Sequence, residues 1–203
     1  MKYFALIIIT ALTASSAFAE SYIRIRGIQA SPLLSDNAEK GKFKSGTDEI
    51  RMQTPPSKYQ SAMLSYGIFG VGTTSMTTTF TFSSKEYSLN SEWTDGALIF
   101  NGPGNTSITL GAGICSKGKG VISSTESELT SDTVTGTSWL GVFALEYELP
   151  INLDFIGLEF TEILFGYRSN QLEYSTFQNS SSILRNKLKF QSIQYQFGVG
   201  FVF

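Results

Sequence analysis

The sequence predicts an all-β fold, an up-and-down antiparallel barrel with eight strands. Aromatic and aliphatic residues recur at every second position in several segments, most regularly from Ile193 to Phe203, and this is the period of a β-strand. Aromatic residues make up 13% of the 203 residues, which is ample material for a buried or lipid-facing surface. Short and long connections alternate between the predicted strands, as an up-and-down barrel requires.

The first 19 residues have the features of a secretory signal peptide. Lys2 supplies a positive charge, residues 4–14 form a short apolar stretch, and Ala17 and Ala19 give the small-residue pattern that precedes a cleavage site. We therefore expect export, cleavage after Ala19, and one domain over residues 20–203. The alternative, an uncleaved membrane anchor, is disfavoured because the apolar stretch is short for a span.

The first predicted strand, Tyr22–Ile28, sets the inside and outside of the barrel. Ile23 and Ile25 alternate with Arg24 and Arg26, so we expect the isoleucines to face outward and the arginines inward. Residues 31–57 are polar, contain three prolines and are predicted to form a long loop. A hairpin hidden in this loop would raise the count to ten strands.

The remaining seven strands follow from alternation and turn residues. Tight connections are predicted at Thr73-Thr74, near Asn90, at residues 101–104, and at Pro150 with Asn152. Residues 117–135 and 169–184 are predicted to be polar loops. The predicted strands are residues 59–72, 76–87, 92–100, 106–115, 138–149, 155–168 and 187–203. In residues 155–168 the apolar face switches near Phe160, which a β-bulge would explain.

The last strand carries a resemblance to a known family. Its alternating positions are apolar or aromatic and end on an aromatic residue: Tyr195, Phe197, Val199, Phe201 and Phe203. This pattern resembles the C-terminal β-signal of Gram-negative outer-membrane β-barrel proteins, the small barrels of the OmpA-transmembrane, OmpX and OmpW types. The resemblance implies an outer-membrane location, a last strand read by the barrel-assembly machinery, and surroundings of lipid and lipopolysaccharide.

Aromatic residues also lie near the predicted strand ends, where membrane barrels carry interface girdles. These residues are Trp139, Tyr147, Tyr167 and Tyr195. The alternative is that they reflect only the general preference of aromatic residues for strands.

Candidate chemistry is limited by composition. The chain has no histidine and one cysteine, Cys115, so neither a Ser-His-Asp nor a Cys-His site can form. Glu146 and Glu148 are two positions apart, about 7 Å along a strand, a separation that inverting glycosidases also use. We favour an internal ion network, because charges inside a small barrel must be paired. Its predicted members are Arg24, Arg26, Glu146, Glu148, Glu162 and Arg168.

These observations predict a membrane protein that is not an enzyme and has neither metal nor cofactor. Without residues 1–19 the chain has 14 basic and 17 acidic residues, a balance that argues against nucleic acid as a partner. Eight strands enclose too little space for an open aqueous pore. The expected role is structural, surface interaction, or narrow passage of small molecules. The alternative is a soluble periplasmic barrel of the lipocalin type, with its apolar faces turned inward around a ligand.

Overall fold

The structure is a computed structural model of the chain. It describes residues 22–30, 49–53, 58–82, 84–124, 128–148, 156–179, 183–184 and 187–203. The predicted signal peptide, residues 1–19, and the predicted turn at Pro150 and Asn152 lie outside these ranges.

Eight long strands close into one antiparallel barrel. They are β1 (Ile23–Ala30), β3 (Lys58–Tyr66), β4 (Phe69–Phe82), β5 (Lys85–Gly102), β6 (Thr106–Ser123), β8 (Thr133–Tyr147), β9 (Phe160–Ser175) and β12 (Lys187–Val202). Each strand pairs with the next in that order; β6 pairs directly with β8, and β12 pairs with β1. The predicted eight-stranded antiparallel barrel is confirmed.

Four short strands among the described residues lie outside this ring. They are β2 (Glu49–Gln53), β7 (Glu128–Ser131), β10 (Phe177–Gln178) and β11 (Ile183–Leu184). Strand β2 runs parallel to the first residues of β12, while β7, β10 and β11 continue the sheet beside the end of β6. In the described part of residues 31–57, one strand flanks the ring, and the barrel does not gain a hairpin.

The predicted turn at Thr73-Thr74 is wrong. Both threonines lie inside β4, and the chain reverses at Gly67-Ile68, between β3 and β4. Gly67 has a φ of 56°, a conformation that glycine adopts without steric cost. Threonine is β-branched and favours a strand interior, so the correction follows from ordinary residue preferences.

The predicted loop near Asn90 is also wrong, whereas the chain does reverse at the turn predicted for residues 101–104. Asn90 pairs with Thr77 and Lys119 in the middle of the sheet, because an exposed polar side chain is acceptable on the outward face of a strand in water. The reversal occurs near Ser84, which has a φ of 62°. Strand β5 ends at Gly102, and a turn over residues 103–105 leads into β6.

The predicted loops at residues 117–135 and 169–184 are largely strand. Strand β6 continues to Ser123 and β9 to Ser175, with buried side chains such as Ile122 and Leu172. Strand β9 begins at Phe160, so the predicted switch of face there marks the start of the strand and requires no bulge. A β-bulge is instead found at Glu92/Trp93, opposite Ser116.

The two ends of the barrel have opposite hydrophobic patterns. We call the end with the turns at residues 67–68 and 103–105 the lower end, and the opposite end the upper end. In the lower part, large apolar side chains face outward, as at Ile25, Phe165 and Phe201, and arginines face inward. Towards the upper end most large buried side chains are apolar, as at Leu89 and Phe190, and the outward neighbours are polar. No helix among the described residues is long and apolar enough to cross a membrane.

Candidate functional site

The lower part of the lumen holds a group of four ionised side chains, Arg24, Arg26, Glu146 and Glu162, which we call the lower charge cluster. The Arg26 guanidinium donates to both carboxylate oxygens of Glu162, with its Nε 2.6 Å from Oε2. Arg26 also donates to the hydroxyls of Thr109 and Ser107. Arg24, Arg26 and Glu162 and the two hydroxyl residues are buried, and Glu146 is partly buried. Side chains alternate between the inside and the outside of the barrel along each strand. The inward side chain of Arg26 on β1 therefore meets inward side chains of β6 and β9 across the lumen.

Arg24 joins Glu146 to the same cluster. Its Nη2 lies 3.1 Å from Glu146 Oε1 and 2.9 Å from Asn101 Oδ1, and its Nε lies 3.3 Å from Glu162 Oε1. The guanidinium also lies 5.3 Å from the centre of the Tyr22 ring, within the range of a cation–π contact. Two arginines and two glutamates therefore balance in charge inside the barrel wall.

A second ion pair, between Asp95 and Arg168, lies higher in the lumen. We call this pair the upper charge cluster. Arg168 donates from Nη1 and Nη2 to the two oxygens of Asp95, at 2.8 and 2.9 Å. The same guanidinium donates to Thr74, Ser138 and Asn170. It lies 5.2 Å from the Trp93 ring. The five N–H groups of the Arg168 guanidinium therefore all have acceptors, and the Trp93 ring lies beside the cation.

Amide side chains extend the upper cluster towards β12. Asn170 and Gln194 both donate to the hydroxyl of Ser192, and Gln196 donates to the hydroxyl of Tyr59. These groups are buried. Ser192, Gln194 and Gln196 project into the lumen from β12, whereas Asp95 and Arg168 project into it from β5 and β9.

An apolar layer separates the two charge clusters. Along β9 the inward positions are Glu162, Leu164, Gly166 and Arg168, and Leu164 is fully buried. Strands β1, β3, β5 and β8 contribute further buried apolar side chains at this level. They are Ile28, Met63, Ala97, Leu140 and Val142. The described residues therefore fill the lumen with a polar layer, an apolar layer and a second polar layer.

A glycine makes room for the upper pair. A Cβ on Gly113 would collide with Asp95 Oδ1 and would lie 2.6 Å from Ser138 Oγ and 3.2 Å from Arg168 Nη2. Gly113 is paired directly with Asp95 in the β5–β6 register. The absence of a side chain at this inward position is thus a requirement of the ion pair.

The structure brings together four of the six predicted network residues: Arg24, Arg26, Glu146 and Glu162. Arg168 is inward and buried, but its partner is Asp95, which the sequence analysis missed. A signal for Asp95 was available, because it is a lone acid at an inward position of a strand whose other inward residues include Trp93, Ala97 and Ile99. Nothing in the sequence alone indicated which arginine it would meet.

The prediction for Glu148 is wrong. Strand β8 ends at Tyr147, and Glu148 is exposed beyond that end, since the strand period no longer directs its side chain into the lumen. Glu146 is held by Arg24. The two carboxylates therefore do not form a facing pair of the kind that glycosidases use. Among the described residues, no group of three potential metal ligands occurs.

Above the charge clusters the barrel has a packed apolar interior, which we call the upper core. Its main side chains come from β5, β6, β9, β10 and β12: Tyr87, Leu89, Ile122, Leu172, Tyr174, Phe177, Leu188 and Phe190. The Tyr174 hydroxyl donates to the carbonyl of Asn90 at 2.6 Å, and burial raises the pKa of Tyr174. Gly120 lies against Phe177, where a Cβ would come within 2.8 Å of the ring.

An open groove of about 490 Å³ lies on the outer face of β8, β9 and β12. Its outward lining is polar, with Thr135, Thr137, Gln171 and Gln191 beside the Lys189–Glu173 pair, whose charged atoms are 3.8 Å apart. The groove lies above the outward-facing aromatic residues of the same strands, since Thr137 and Gln171 follow Trp139 and Tyr167 towards the upper end.

The residues predicted as a β-signal are on the barrel seam. Tyr195, Phe197, Val199 and Phe201 face outward, and the backbone of Phe203 exchanges hydrogen bonds of 2.8 and 2.9 Å with Ile23. Their role in assembly stays a prediction. Trp139, Tyr167 and Tyr195 lie near one another on the outer surface, and Tyr147 lies at the lower end of β8. Trp139 is 70% exposed.

Comparison with known proteins finds similar solved structures. No family model matches the chain, and no curated protein matches it. The chain is similar to Neisserial surface protein A (NspA), with a TM-score of 0.46 and 17% identity over 90% of this chain and 96% of the other. It is also similar to Ail, the attachment invasion locus protein of Yersinia pestis, with a TM-score of 0.41 and 14% identity over 90% of this chain and 97% of the other.

Proposed function

We propose that this chain is an outer-membrane β-barrel that does not conduct solutes and that exposes its upper end as an interaction surface outside the cell. The observation that carries the proposal is the reversal of hydrophobic pattern along the strands. In the lower part the large apolar side chains face outward and the ionised ones inward. In the upper part the apolar side chains face inward.

The lower part suits lipid and not water. A barrel that folds in water turns its apolar faces inward, as the lipocalin-type alternative requires. Here Phe69, Val71 and Ile114 are each at least 63% exposed, while Arg24 and Arg26 are buried in the lumen. Apolar-out and polar-in alternation is the pattern of membrane barrels.

The packing of the described lumen residues supports the non-conducting part of the proposal. The two charge clusters are internally paired, and Leu164 and its apolar neighbours lie between them. Solute transport would require both ion-pair layers and the apolar layer to open together. A small barrel filled by side chains is the expected state at eight strands.

The upper part supports a role at the cell surface. Tyr174, Phe177 and Phe190 pack into a core inside the upper part of the barrel. The strands around this core are therefore stabilised by their own apolar side chains and do not need lipid around them. The polar groove beside Gln171 and Gln191 lies on these strands. We propose lipopolysaccharide as the immediate surroundings of this region and the assembly machinery as a partner of β12 during insertion.

Fractionation and gel migration test the membrane location. We expect the full chain, expressed in a Gram-negative host, to sediment with the outer membrane and to migrate faster on a gel before heating than after. Recovery in the soluble periplasmic fraction with a single gel position would favour the lipocalin-type alternative and overturn the proposal.

Planar-bilayer recording tests the filled lumen. We expect no steady current steps from the purified barrel under conditions in which a general porin conducts. Steady steps from a protein that passes the fractionation test would contradict the non-conducting part of the proposal and leave the membrane location standing.

A further inference from the structure

The outward face of the barrel differs between its two sides. On β12 the outward residues remain apolar from Phe201 to Ile193, whereas on β4 they change after Val71 to Thr73 and Ser75. Strands β3 and β5 change in the same way. The outward residues of these three strands are Tyr66, Leu64, Ala62, Gln60 and Lys58 on β3, Phe69, Val71, Thr73 and Ser75 on β4, and Phe100, Leu98, Gly96, Thr94 and Glu92 on β5. We call this surface the short-belt face.

The polar part of the short-belt face lies at the height of the aromatic residues on the opposite side. Paired residues on neighbouring strands are not at the same height along the barrel axis. A path that steps from each residue to its partner on the next strand starts at residue 22, next to β1, and returns to β1 at residue 30. Each step to the next strand therefore rises by one residue, and heights are compared after subtracting this rise. By this measure Ser75 on β4 is level with Ser169 on β9. Ser169 pairs with Trp139 and Ile193, while Ser75 pairs with Gln60 and Glu92.

The short-belt face is complementary to itself. Lys58 pairs with Thr77 on one side of β4, and Glu92 pairs with Ser75 on the other side, two residues lower on β4. The two steps from β3 to β5 rise by two residues, so Lys58 and Glu92 lie at equal height along the barrel axis. Both are exposed. Among the residues that the structure describes, neither forms an ion pair with another. Below them Gln60 is level with Thr94, and Ala62 with Gly96, by the same registers.

We propose that the short-belt face binds a second copy of this chain, in a dimer whose twofold axis runs along the membrane normal beside β4. This inference rests on the proposed membrane location. The symmetry places β3 of one copy against β5 of the other, so Lys58 meets Glu92 of the second copy twice. Small residues at the centre of the face, such as Ser75 and Gly96, allow the two barrels to approach closely. Polar side chains that would have no hydrogen-bond partner in lipid would find one on the second copy.

Cysteine crosslinking in isolated outer membranes tests the proposal. The background is Cys115→Ala, and Ser75→Cys is compared with Ser169→Cys, a serine at the same height on the opposite side. We expect an oxidant to convert most of the Ser75→Cys chain, and little of the Ser169→Cys chain, to a disulfide-linked dimer. Maleimide labelling in detergent verifies that both thiols react. Absence of a dimer from Ser75→Cys, or equal yields from both positions, would overturn the proposal.

Charge exchange tests the specific contact. In the Ser75→Cys background, Lys58→Glu or Glu92→Lys alone places like charges together at both symmetry-related contacts, and we expect at least about a fivefold lower dimer yield. The double exchange restores opposite charges and should restore the yield. A double variant as poor as the single variants would contradict the predicted pairing of Lys58 with Glu92.

These outcomes are separable from the proposed function. A chain that fractionates with the outer membrane and shows heat-dependent migration, yet gives no Ser75→Cys dimer, overturns the dimer alone and leaves lipid or lipopolysaccharide as the occupant of this face. A chain in the soluble fraction overturns the membrane location first.

Discussion

Arg168 and Asp95 are 73 positions apart in the chain and form a bidentate ion pair across the lumen, with N–O distances of 2.8 and 2.9 Å. Arg168 lies on β9 and Asp95 on β5, strands that are not neighbours in the ring. Both side chains are buried, at 1% and 0% exposure. The pair therefore connects opposite walls of the barrel, which the backbone ladder alone does not join.

Asp95→Ala should destabilise the barrel strongly, because it leaves the Arg168 charge buried without its partner. We expect a loss of about 3–5 kcal/mol in the free energy of unfolding. Tryptophan fluorescence during urea unfolding in detergent micelles measures the loss. The double variant Asp95→Ala/Arg168→Met should lose less, since it buries no unpaired charge. Asp132→Ala, at an exposed position, is the control, and a midpoint for Asp95→Ala equal to that control would contradict the prediction.

Gly113→Ala should damage the same site without altering any charge. The added methyl group would collide with Asp95 and crowd Ser138 and Arg168, so we expect a loss of about 2 kcal/mol or more. Gly27→Ala is the matched control, because Gly27 lies on the outward face of β1, away from the ion pair, and a Cβ there meets nothing within 4 Å. Equal urea midpoints for the two variants would show that the space at Gly113 is not required.

Phe177→Ala should loosen the upper core and leave the lower barrel closed. Phe177 is buried against Tyr174 and Gly120, and removal of a buried phenylalanine ring costs about 3–5 kcal/mol. With the upper end outside the cell, as proposed, we expect faster cleavage of the upper part by a protease added to whole cells, with heat-dependent gel migration retained. Phe165→Ala, on the outward face of β9, is the comparison and should not raise cleavage. Loss of heat-dependent migration in Phe177→Ala would indicate that the two parts fold as one unit.

Cys115 should react slowly with thiol reagents at neutral pH. It follows the outward residue Ile114, after which the exposed residues Ser116 and Lys117 are polar, and burial raises the pKa of its thiol to about 11 from 9.0. Only the thiolate reacts, so the labelling rate should keep rising about tenfold per pH unit up to pH ~10. An exposed thiol, Asp132→Cys in a Cys115→Ala chain, should level off near pH ~9. A Cys115 profile that coincides with this control would contradict a buried thiol.

Local alternation predicted the lower half of the barrel well and the upper half poorly. Ile23 and Ile25 face outward and Arg24 and Arg26 inward as predicted, because the apolar face is continuous in this part of the strand. The same rule misjudged residues 117–123 and 169–175 as loop. There polar residues occupy the outward side, and the inward side has few large apolar residues. These are Ile122 in the first segment and Leu172 and Tyr174 in the second, so the alternation is too short to stand out as a strand.

Turn positions were predicted only where the residue type decides the backbone conformation. Residues 102–104, Gly-Pro-Gly, favour reversal in any surroundings, and the chain turns there. Threonine pairs and asparagine are compatible with either a turn or a strand, and at Thr73-Thr74 and Asn90 the pairing of β4 with its neighbours selected the strand.

The sequence by itself determined the strand period and the directions in which Arg24 and Arg26 point, since these depend on residues one or two positions apart. It also predicted the antiparallel barrel, because short and long connections alternate between the predicted strands. The tertiary structure decided that Arg168 binds Asp95, that Gly113 must lack a side chain, and that Glu148 lies outside the lumen. These facts depend on closure of the ring, which brings β5 and β9 to opposite sides of one narrow interior. A strand pattern records which side a residue faces, but only the register between distant strands selects the residue that it meets.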